Sequence, residues 1–367
     1  MNKTKRIVIK IGSSSLTGKA GSGINENALQ RLVLIAGEAK KNGNEVLIVS
    51  SGAIATGLQP LSLTARPKDL ATAQAAASVG QGILIGKYIQ YFASQKIVAS
   101  QVLITLQDVI RKSHFQSVQR TLLKLLELGV VPVINENDSV GTHEIRMGDN
   151  DRIAALIAHL VNADQLILVS DVDGLYDRPP SQPDAKIIKV VNDPKQIQDS
   201  NITGPGSSGV GSGGMKTKVE AARIASAAGI TTNLINLAKL DHLMHGHEVG
   251  TLFEANPERQ SSRLFWLEHA SIISGDLKID EGAVNALIER GSSLLPVGVI
   301  SVSGEFEEGA TISISNQSGK VIAHGIVAYS SDVIPQMIGK STKELVANFG
   351  GNFERELVHR DDLVLLK

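Results

Sequence analysis

The chain has 367 residues, 42% of them hydrophobic and 20% charged, and its formal net charge is −1. That length is enough for two domains with separate cores, and a nearly neutral charge gives no field that would hold nucleic acid or an anionic membrane. The sequence contains no cysteine, which excludes disulfides, thiolate metal sites and a cysteine nucleophile. It shows neither the apolar core of a signal peptide nor a membrane-spanning run, so we expect a cytoplasmic protein.

Four aliphatic runs, each ending in a small or polar cluster, predict buried strands. They lie in residues 6–15, 46–53, 130–138 and 166–174. Nearly continuous runs of Val, Ile and Leu are typical of parallel strands buried on both faces, and ligands of such sheets bind where the carboxyl ends of the strands open into loops. The polar clusters therefore predict the active site.

Segments with helical periodicity separate these strands. Asn25 is placed to cap one helix, residues 115–125 form the apolar stripe of another, and residues 71–96 are Ala-rich. We expect the Ala-rich helix to be interrupted by its glycines, Gly80, Gly82 and Gly86. Strands alternating with helices of this length predict an α/β fold, an αβα sandwich with a mostly parallel central sheet.

The composition changes in the last third of the chain. Residues 1–255 carry the α/β pattern, and residues 256–274 have the composition of a linker. Short alternating runs with hairpin turns predict a small β-rich domain over residues 275–353, followed by a C-terminal tail over residues 354–367.

A glycine cluster over residues 204–218 leads into a helical segment. Backbone N–H groups of such a loop and of a helix N-terminus form a cradle for phosphate. The two formal GxGxxG matches do not directly follow a strand, and a Walker P-loop is excluded because Met215 follows Gly214. The alternative is a flexible surface loop.

Lys10 lies inside an otherwise apolar strand, directly before Gly12 and a run of serines. A lysine there needs an anion or an exit to solvent, because an unpaired buried ammonium is very costly. The alternative is an edge position from which the side chain reaches solvent.

Two acidic and amide clusters follow at strand and helix entries. They contain Glu136, Asp138, Asp149 and Asp151, which is more than helix capping requires, although Asn150 or Asp151 would cap a helix well. These acids could hold an ammonium group, a metal, or lysines that bind phosphate. Three histidines, His242, His245 and His247, do not share one helical face, and we expect no metal site there.

Taken in order, these clusters resemble the amino acid kinase family with a C-terminal PUA domain. The matching stretches are residues 8–13, 51–55, 133–138, 148–151, 173–176 and 211–218, extended by residues 250–253 and 280–283. The resemblance implies an ATP-dependent kinase that phosphorylates the γ-carboxylate of L-glutamate, the first step of proline biosynthesis. It also implies feedback inhibition by proline, a homo-oligomer (dimer or tetramer), and Mg²⁺ held mainly by the ATP phosphates rather than by a protein metal site.

The resemblance also implies roles for individual residues. Lys10 and Lys218 would grip the transferring phosphoryl group, and Asp151 would hold both lysines in place. The glutamate-binding residues would be Ser51, Asp138 and Asn150. The nucleotide-binding residues would be Lys10, Ser170, Asp171, Ser212, Gly213, Gly214, Met215, Lys216, Thr217 and Lys218.

The sequence departs from the family pattern at three of these positions. Ser170 and Ser212 stand where the family has Thr, and both keep the hydroxyl. Lys216 stands where the family has a small residue, so it adds a charge beside the phosphate loop.

The chemistry suits these residue types. A γ-carboxylate is already ionised at neutral pH, so the nucleophile needs no general base, and what must be supplied is stabilisation of charge on the phosphoryl group. The free α-ammonium of glutamate requires a carboxylate, for which Asp138 is the candidate, and this argues against N-acetylglutamate.

Two alternatives stay open. One is another carboxylate kinase of the same family, acting on N-acetylglutamate or aspartate. The other is an RNA-binding protein, because PUA-like domains often contact RNA; residues 275–367 carry eight basic and thirteen acidic side chains, which disfavours it.

Overall fold

The computed structural model describes residues 4–17, 23–105, 108, 112–140, 150–194, 197, 214–257, 273–350 and 353–366. The chain divides into two compact units between residues 259 and 260. That division falls inside residues 256–274, and the boundaries of the linker itself stay a prediction. Within the described residues, no helix combines the length and apolar character needed to cross a membrane.

The first unit is built on one sheet. Its strands are β1 (Arg6–Ile11), β2 (Glu45–Ser50), β3 (Ala99–Ile104), β4 (Val131–Glu136), β5 (Gln165–Ser170), β6 (Val190–Val191), β7 (Thr231–Asn236) and β8 (Thr251–Phe253). Among the described residues the strand order is β3-β4-β2-β1-β5-β7-β8-β6. Neighbouring strands run parallel except β7 and β8. The mostly parallel sheet predicted from the aliphatic runs is confirmed.

Helices connect these strands. They are α1 (Ser13–Leu16), α2 (Glu26–Lys41), α3 (Ala53–Leu58), α4 (Leu70–Ser94), α5 (Lys112–Glu127), α6 (Asn150–Leu160), α7 (Met215–Ala227) and α8 (Leu240–Met244), with a 3₁₀ turn at Leu237–Lys239. The predicted cap is present, because the side chain of Asn25 accepts a hydrogen bond from the backbone N–H of Ala28. Asp69 caps α4 in the same way.

Alternation along β1 assigns its side chains to the two faces of the sheet. Ile7, Ile9 and Ile11 belong to a core shared with α2 and α4. Val8 and Lys10 point to the opposite face because successive side chains of a strand alternate. That face is covered by α6, which packs on β1 and β5 and against α7. Lys10 therefore lies on the side of the sheet that carries α6 and α7.

Helix α4 is continuous from Leu70 to Ser94, so the predicted interruption at its glycines is wrong. Gly80 serves close packing instead, because a Cβ there would lie 1.9 Å from the carbonyl oxygen of Ala53 in α3. A Cβ at Gly57 of α3 would likewise lie 1.9 Å from the carbonyl oxygen of Ala76 in α4. The glycines let α3 and α4 approach backbone to backbone.

The second unit is a separate five-stranded sheet. Its elements are β9 (Ile273–Ile279), α9 (Glu281–Arg290), β10 (Val299–Ser303), β11 (Thr311–Ser315), β12 (Val321–Ile326), α10 (Thr342–Phe349) and β13 (Leu363–Leu365), with 3₁₀ turns at Pro296–Gly298, Ile334–Gln336 and Arg360–Asp362. The described strands are ordered β10-β9-β11-β12-β13. The predicted hairpin is present, because β11 and β12 pair antiparallel around a turn that ends at Gly319.

The chain beyond residue 353 differs from the tail expected there. Strand β13 pairs antiparallel with β12, and Leu357 and Val358 are fully buried in the core of this unit. Apolar residues at these positions complete the sheet and its core, so residues 354–366 are part of the β-rich unit.

Candidate active site

The predicted polar clusters meet at one edge of the first sheet. Strands β4, β2, β1 and β5 are consecutive neighbours and all run parallel. Their carboxyl ends therefore open on the same side, where ligands of such sheets bind. The helices α6 and α7 begin at this edge and contribute Asp151 and Lys218, respectively.

Lys10, Asp151 and Lys218 form the charged centre of this edge. Nζ of Lys10 lies 2.7 Å from Oδ1 of Asp151, and Nζ of Lys218 lies 3.3 Å from Oδ2 of the same carboxylate. The exposed fractions of the three residues are 5%, 2% and 8%, respectively. The hydroxyl of Thr217 lies 2.7 Å from Asp151 Oδ2 and 2.9 Å from the carbonyl oxygen of Gly214. Two distant lysines thus converge on one buried carboxylate.

Electrostatics hold Asp151 in its ionised form. Burial alone would raise the pKa of the Asp151 carboxyl, but Lys10 and Lys218, together with hydrogen bonds from Lys10 and Thr217, hold that pKa well below its usual range. Among the described residues, two buried lysines thus share one buried carboxylate, an arrangement that suits an anionic ligand beside the lysines. The small residue Gly12 leaves this site open, since a Cβ there would lie 3.5 Å from Nζ of Lys10.

The start of α7 provides a second feature suited to an anion. Gly214 is its N-cap, and Lys218 lies in its first turn. Backbone N–H groups at a helix N-terminus have no intrahelical partner, and the helix dipole favours negative charge there. Lys216 is exposed while Lys218 is buried, because residues two apart point in different directions around a helix.

Asn150 organises a buried amide network beside the charged centre. Its Nδ2 lies 2.9 Å from Ser51 Oγ, 3.2 Å from the Ser50 carbonyl oxygen and 3.1 Å from Asn135 Oδ1. Its Oδ1 is buried and has no hydrogen-bond partner within the described part of the chain. Because a buried acceptor without a donor is costly, this oxygen is suited to a ligand that donates an N–H.

Asp138 presents a second acceptor without a donor. Its Oδ1 is buried and has no hydrogen-bond partner among the described residues. Burial raises the pKa of the Asp138 carboxyl to about 6, although the nearby positive charge of Arg66 opposes the shift. A carboxylate in such surroundings is stabilised by a cationic ligand.

The residues predicted to contact nucleotide lie at the end of β5. Ser170 is buried, and its hydroxyl donates to Asp171 Oδ1 at 3.1 Å. Asn236, at the end of the neighbouring β7, donates from Nδ2 to the carbonyl oxygen of Asp171 at 3.2 Å. Lys239 pairs with Asp173 at 2.9 Å. The ends of β5 and β7 are thus tied together.

Ser212, Gly213 and Asp149 lie outside the described residues. The rings of His242 and His247 are 5.8 Å apart, edge to face. Within the described part of the chain, no group of three or more His, Asp or Glu side chains is arranged to hold a metal ion.

Two hydrogen bonds at this edge were not predicted from the sequence. Asn135 donates to Gln81 at 2.7 Å, and Tyr88 and Ser50 share a 3.0 Å hydrogen bond between their hydroxyls. Asn135 stood in a cluster already singled out, and Gln81 is a polar residue in an Ala-rich helix. Those were the only local signals, because the contacts join segments far apart in sequence.

Comparison with known proteins defines the class. Residues 5–236 match the amino acid kinase family, and residues 275–348 match the PUA domain. The chain belongs to the amino acid kinase family, with a PUA domain as its second unit. Glutamate 5-kinase of Streptomyces avermitilis is 49% identical over 366 residues, which cover 100% of this chain and 97% of that protein. Glutamate 5-kinase of Thermobifida fusca is 47% identical, over 100% of this chain and 94% of that protein. Glutamate 5-kinase of Salinispora arenicola is 49% identical, over 99% of this chain and 98% of that protein.

Proposed function

We propose that this protein transfers the γ-phosphoryl group of ATP to the γ-carboxylate of L-glutamate, forming L-glutamyl 5-phosphate. The observation that carries the proposal is the pair of lysines joined through Asp151 at the carboxyl edge of the sheet. Full-length similarity to proteins named glutamate 5-kinase supports the choice of substrate.

The charged centre suits phosphoryl transfer to a carboxylate. The nucleophile is ionised at neutral pH, so no side chain has to remove a proton. Catalysis then rests on holding the reactants in line and on stabilising charge on the transferring group. Lys10 and Lys218 supply that charge, and Asp151 holds both ammonium groups in place. The N–H groups at the start of α7 add donors for phosphate oxygens.

The nucleotide side of the site comprises Ser170, Asp171 and the start of α7 from Gly214 to Lys218, with Ser212 and Gly213 predicted to extend it. Mg²⁺ would enter with ATP and neutralise phosphate charge. Among the described residues there is no ready-made cage of carboxylates, so the phosphates would supply most of its ligands.

The amino-acid side comprises Ser51, Asp138 and Asn150. Asp138 Oδ1 and Asn150 Oδ1 are both buried acceptors that lack donors in the described structure. The α-ammonium of glutamate has three N–H donors and one positive charge, which suit acceptors of this kind. The acetylated nitrogen of N-acetylglutamate is neutral and has one N–H, so it fits less well.

Glutamyl 5-phosphate would feed proline biosynthesis, and we expect proline to act as a feedback inhibitor. We expect the activity in the cytoplasm, where ATP and glutamate are available.

Helix α4 carries a surface suited to a homo-oligomer. Val79, Ile83 and Ile89 are exposed on it, opposite the side that faces the core. Gly82 and Gly86 lie between them, and a Cβ at either would meet no described heavy atom within 4 Å. Glycine within a helix costs about 1 kcal/mol relative to alanine. We expect a second copy of the chain to cover this face.

The test is ATP turnover with glutamate in the presence of hydroxylamine, which traps an acyl phosphate as a hydroxamate. We expect hydroxamate with L-glutamate and far less with N-acetylglutamate or aspartate. Addition of proline should reduce the hydroxamate formed from L-glutamate. No glutamate-dependent hydroxamate would refute the proposal, and preferential turnover of another acid would reassign the substrate. Salt-sensitive RNA binding in a filter assay would instead favour the RNA-binding alternative.

A further inference from the structure

Helix α4 reaches the amino-acid side of the site through two side chains of one face. Gln81 Oε1 accepts a 2.7 Å hydrogen bond from Asn135 Nδ2. Two turns further along the helix, the hydroxyl of Tyr88 lies 3.0 Å from that of Ser50. Ser50 in turn offers its carbonyl oxygen to Asn150 Nδ2. Neither Gln81 nor Tyr88 belongs to the set predicted to bind substrate.

The hydrogen bonds from Gln81 to Asn150 have a fixed direction. The backbone N–H of Glu136 is only a donor, so the Asn135 atom at 2.9 Å from it is the oxygen. Asn135 Nδ2 therefore points to Gln81, which must present its own oxygen. Asn135 Oδ1 also accepts from Asn150 Nδ2, as does the Ser50 carbonyl oxygen. This order leaves Asn150 Oδ1 as the atom of that amide without a partner among the described residues.

We infer that Gln81 is a positioning residue for the amino-acid substrate: by accepting from Asn135, it keeps the Asn150 carbonyl oxygen directed at the substrate ammonium. Tyr88 supports the same arrangement through Ser50. This inference rests on the proposed function, because it takes the free ammonium group of glutamate as the donor to Asn150.

Loss of the Gln81 acceptor has a defined consequence. Asn135 Nδ2 would keep no partner at that position, and a buried donor without an acceptor is costly enough to favour rotation of the amide. Rotation of Asn135 would offer N–H instead of oxygen to Asn150 and weaken the restraint on its orientation. Substrate binding would suffer, whereas the lysine centre would keep its geometry.

The experiment compares Gln81→Met with Gln81→Glu in the hydroxamate assay. Methionine has a similar length and no strong acceptor, whereas glutamate keeps an oxygen facing Asn135. We expect Gln81→Met to raise the KM for glutamate about tenfold, which corresponds to ~1.4 kcal/mol, with kcat and the KM for ATP within about twofold of the wild type. We expect Gln81→Glu to restore the KM for glutamate to within about threefold.

The outcomes separate this inference from the proposed function. Absence of hydroxamate from the wild-type protein refutes the function itself. If the wild type is active, an unchanged glutamate KM in Gln81→Met overturns the inference alone. A fall in kcat accompanied by equal rises in the KM values for glutamate and ATP overturns it as well. If Gln81→Met does not fold, Tyr88→Phe replaces it, with an expected rise of about threefold in the glutamate KM only; an unchanged value there overturns the inference.

Discussion

The carboxylate of Asp151 lies 2.7 Å from the ammonium of Lys10, and both residues are almost completely buried. Neither charge would be stable there alone, because desolvation of an isolated ion costs several kcal/mol. Lys218 adds a second cation on the other oxygen of the same carboxylate. These two ion pairs on one buried carboxylate are the property from which the first two predictions follow.

Replacement of either lysine should reduce turnover far more than substrate binding. Lys10→Met and Lys218→Met keep the length of the side chain and remove the charge that we propose stabilises the transferring phosphoryl group. We expect kcat to fall at least about 100-fold, since a donor of this kind supplies about 3 kcal/mol mainly in the transition state. The KM for glutamate should change less than about fivefold. Steady-state hydroxamate kinetics measure both.

A matched control for these variants is Lys124→Met. Lys124 is exposed and pairs with Glu127 at 2.8 Å on α5. Exposed pairs of this kind contribute about 0–1 kcal/mol, so we expect activity and stability close to those of the wild type. If Lys10→Met or Lys218→Met retained near-normal kcat while folded, that lysine would not act on the phosphoryl group.

Asp151 should make stability depend on pH in acid. Its folded pKa lies below the value near 3.9 of an unfolded aspartate, so its stabilising contribution is present above that value and is lost as the pH falls below it. We expect Asp151→Asn to be less stable than the wild type at pH 7, with the difference shrinking below about pH 4. Urea unfolding at pH 7, 5, 4 and 3 measures this, with the exposed Glu38→Gln as control. A difference that stays constant over this range would contradict the assignment.

Asp138 should make glutamate binding depend on pH near neutrality. Its pKa is raised to about 6, so the carboxylate that we propose pairs with the substrate ammonium forms as the pH rises through that value. We expect the wild-type KM for glutamate to fall between pH 5 and 7. Asp138→Asn should have a KM at least about tenfold higher at pH 7 and nearly independent of pH, because a charge-assisted hydrogen bond is lost.

Two measurements accompany the Asp138 prediction. The KM for ATP is the internal control and should show no inflection near pH 6. A raised carboxyl pKa also means that the ionised form costs stability above the unfolded pKa, so Asp138→Asn should unfold at a higher temperature than the wild type at pH 7. A wild-type glutamate KM that is flat from pH 5 to 7 would move the ammonium partner elsewhere.

The parts of the fold that sequence predicts are those specified locally. The apolar runs that form β1, β2, β4 and β5 indicate strands buried on both faces. Because ligands of parallel sheets bind at the carboxyl ends of the strands, the polar clusters could be predicted to lie at one edge. The need of Lys10 for an anion also followed from its position in such a strand, and Asp151 meets that need. The roles assigned to these residues in catalysis stay predictions.

What sequence could not predict depends on partners distant in the chain. Gly80 does not break α4, because its missing side chain accommodates the backbone of Ala53, and no local pattern reveals that approach. Gln81 likewise has no visible role until α4 is placed beside β4. The pairing of Leu363–Leu365 with β12 was missed for a related reason, since three residues are too few for a strand pattern.

The two glycines of α4 should respond oppositely to alanine. A Cβ at Gly80 would overlap the Ala53 carbonyl oxygen, so Gly80→Ala should destabilise the protein by more than about 2 kcal/mol in urea unfolding. Gly82 faces open space within the described part of one copy, so Gly82→Ala should leave the fold of that copy intact and gain up to about 1 kcal/mol of helix stability. Equal effects of the two variants would contradict the close packing of α3 on α4.

The exposed face of α4 should govern assembly. Ile83 lies between Gly82 and Gly86 along the helix, so Ile83→Glu places a charge at the centre of the apolar face. A charge buried in an interface without a partner is costly, and we expect the variant to be a monomer under conditions where the wild type is a dimer or tetramer by light scattering. Leu34→Glu is the matched control, because Leu34 is an exposed leucine of α2 and should leave the mass unchanged. A wild-type monomer, or an unaltered mass in Ile83→Glu, would exclude this face as the interface. Because the same helix carries Gln81, dissociation that also raised the glutamate KM would indicate that assembly and substrate binding are coupled through α4.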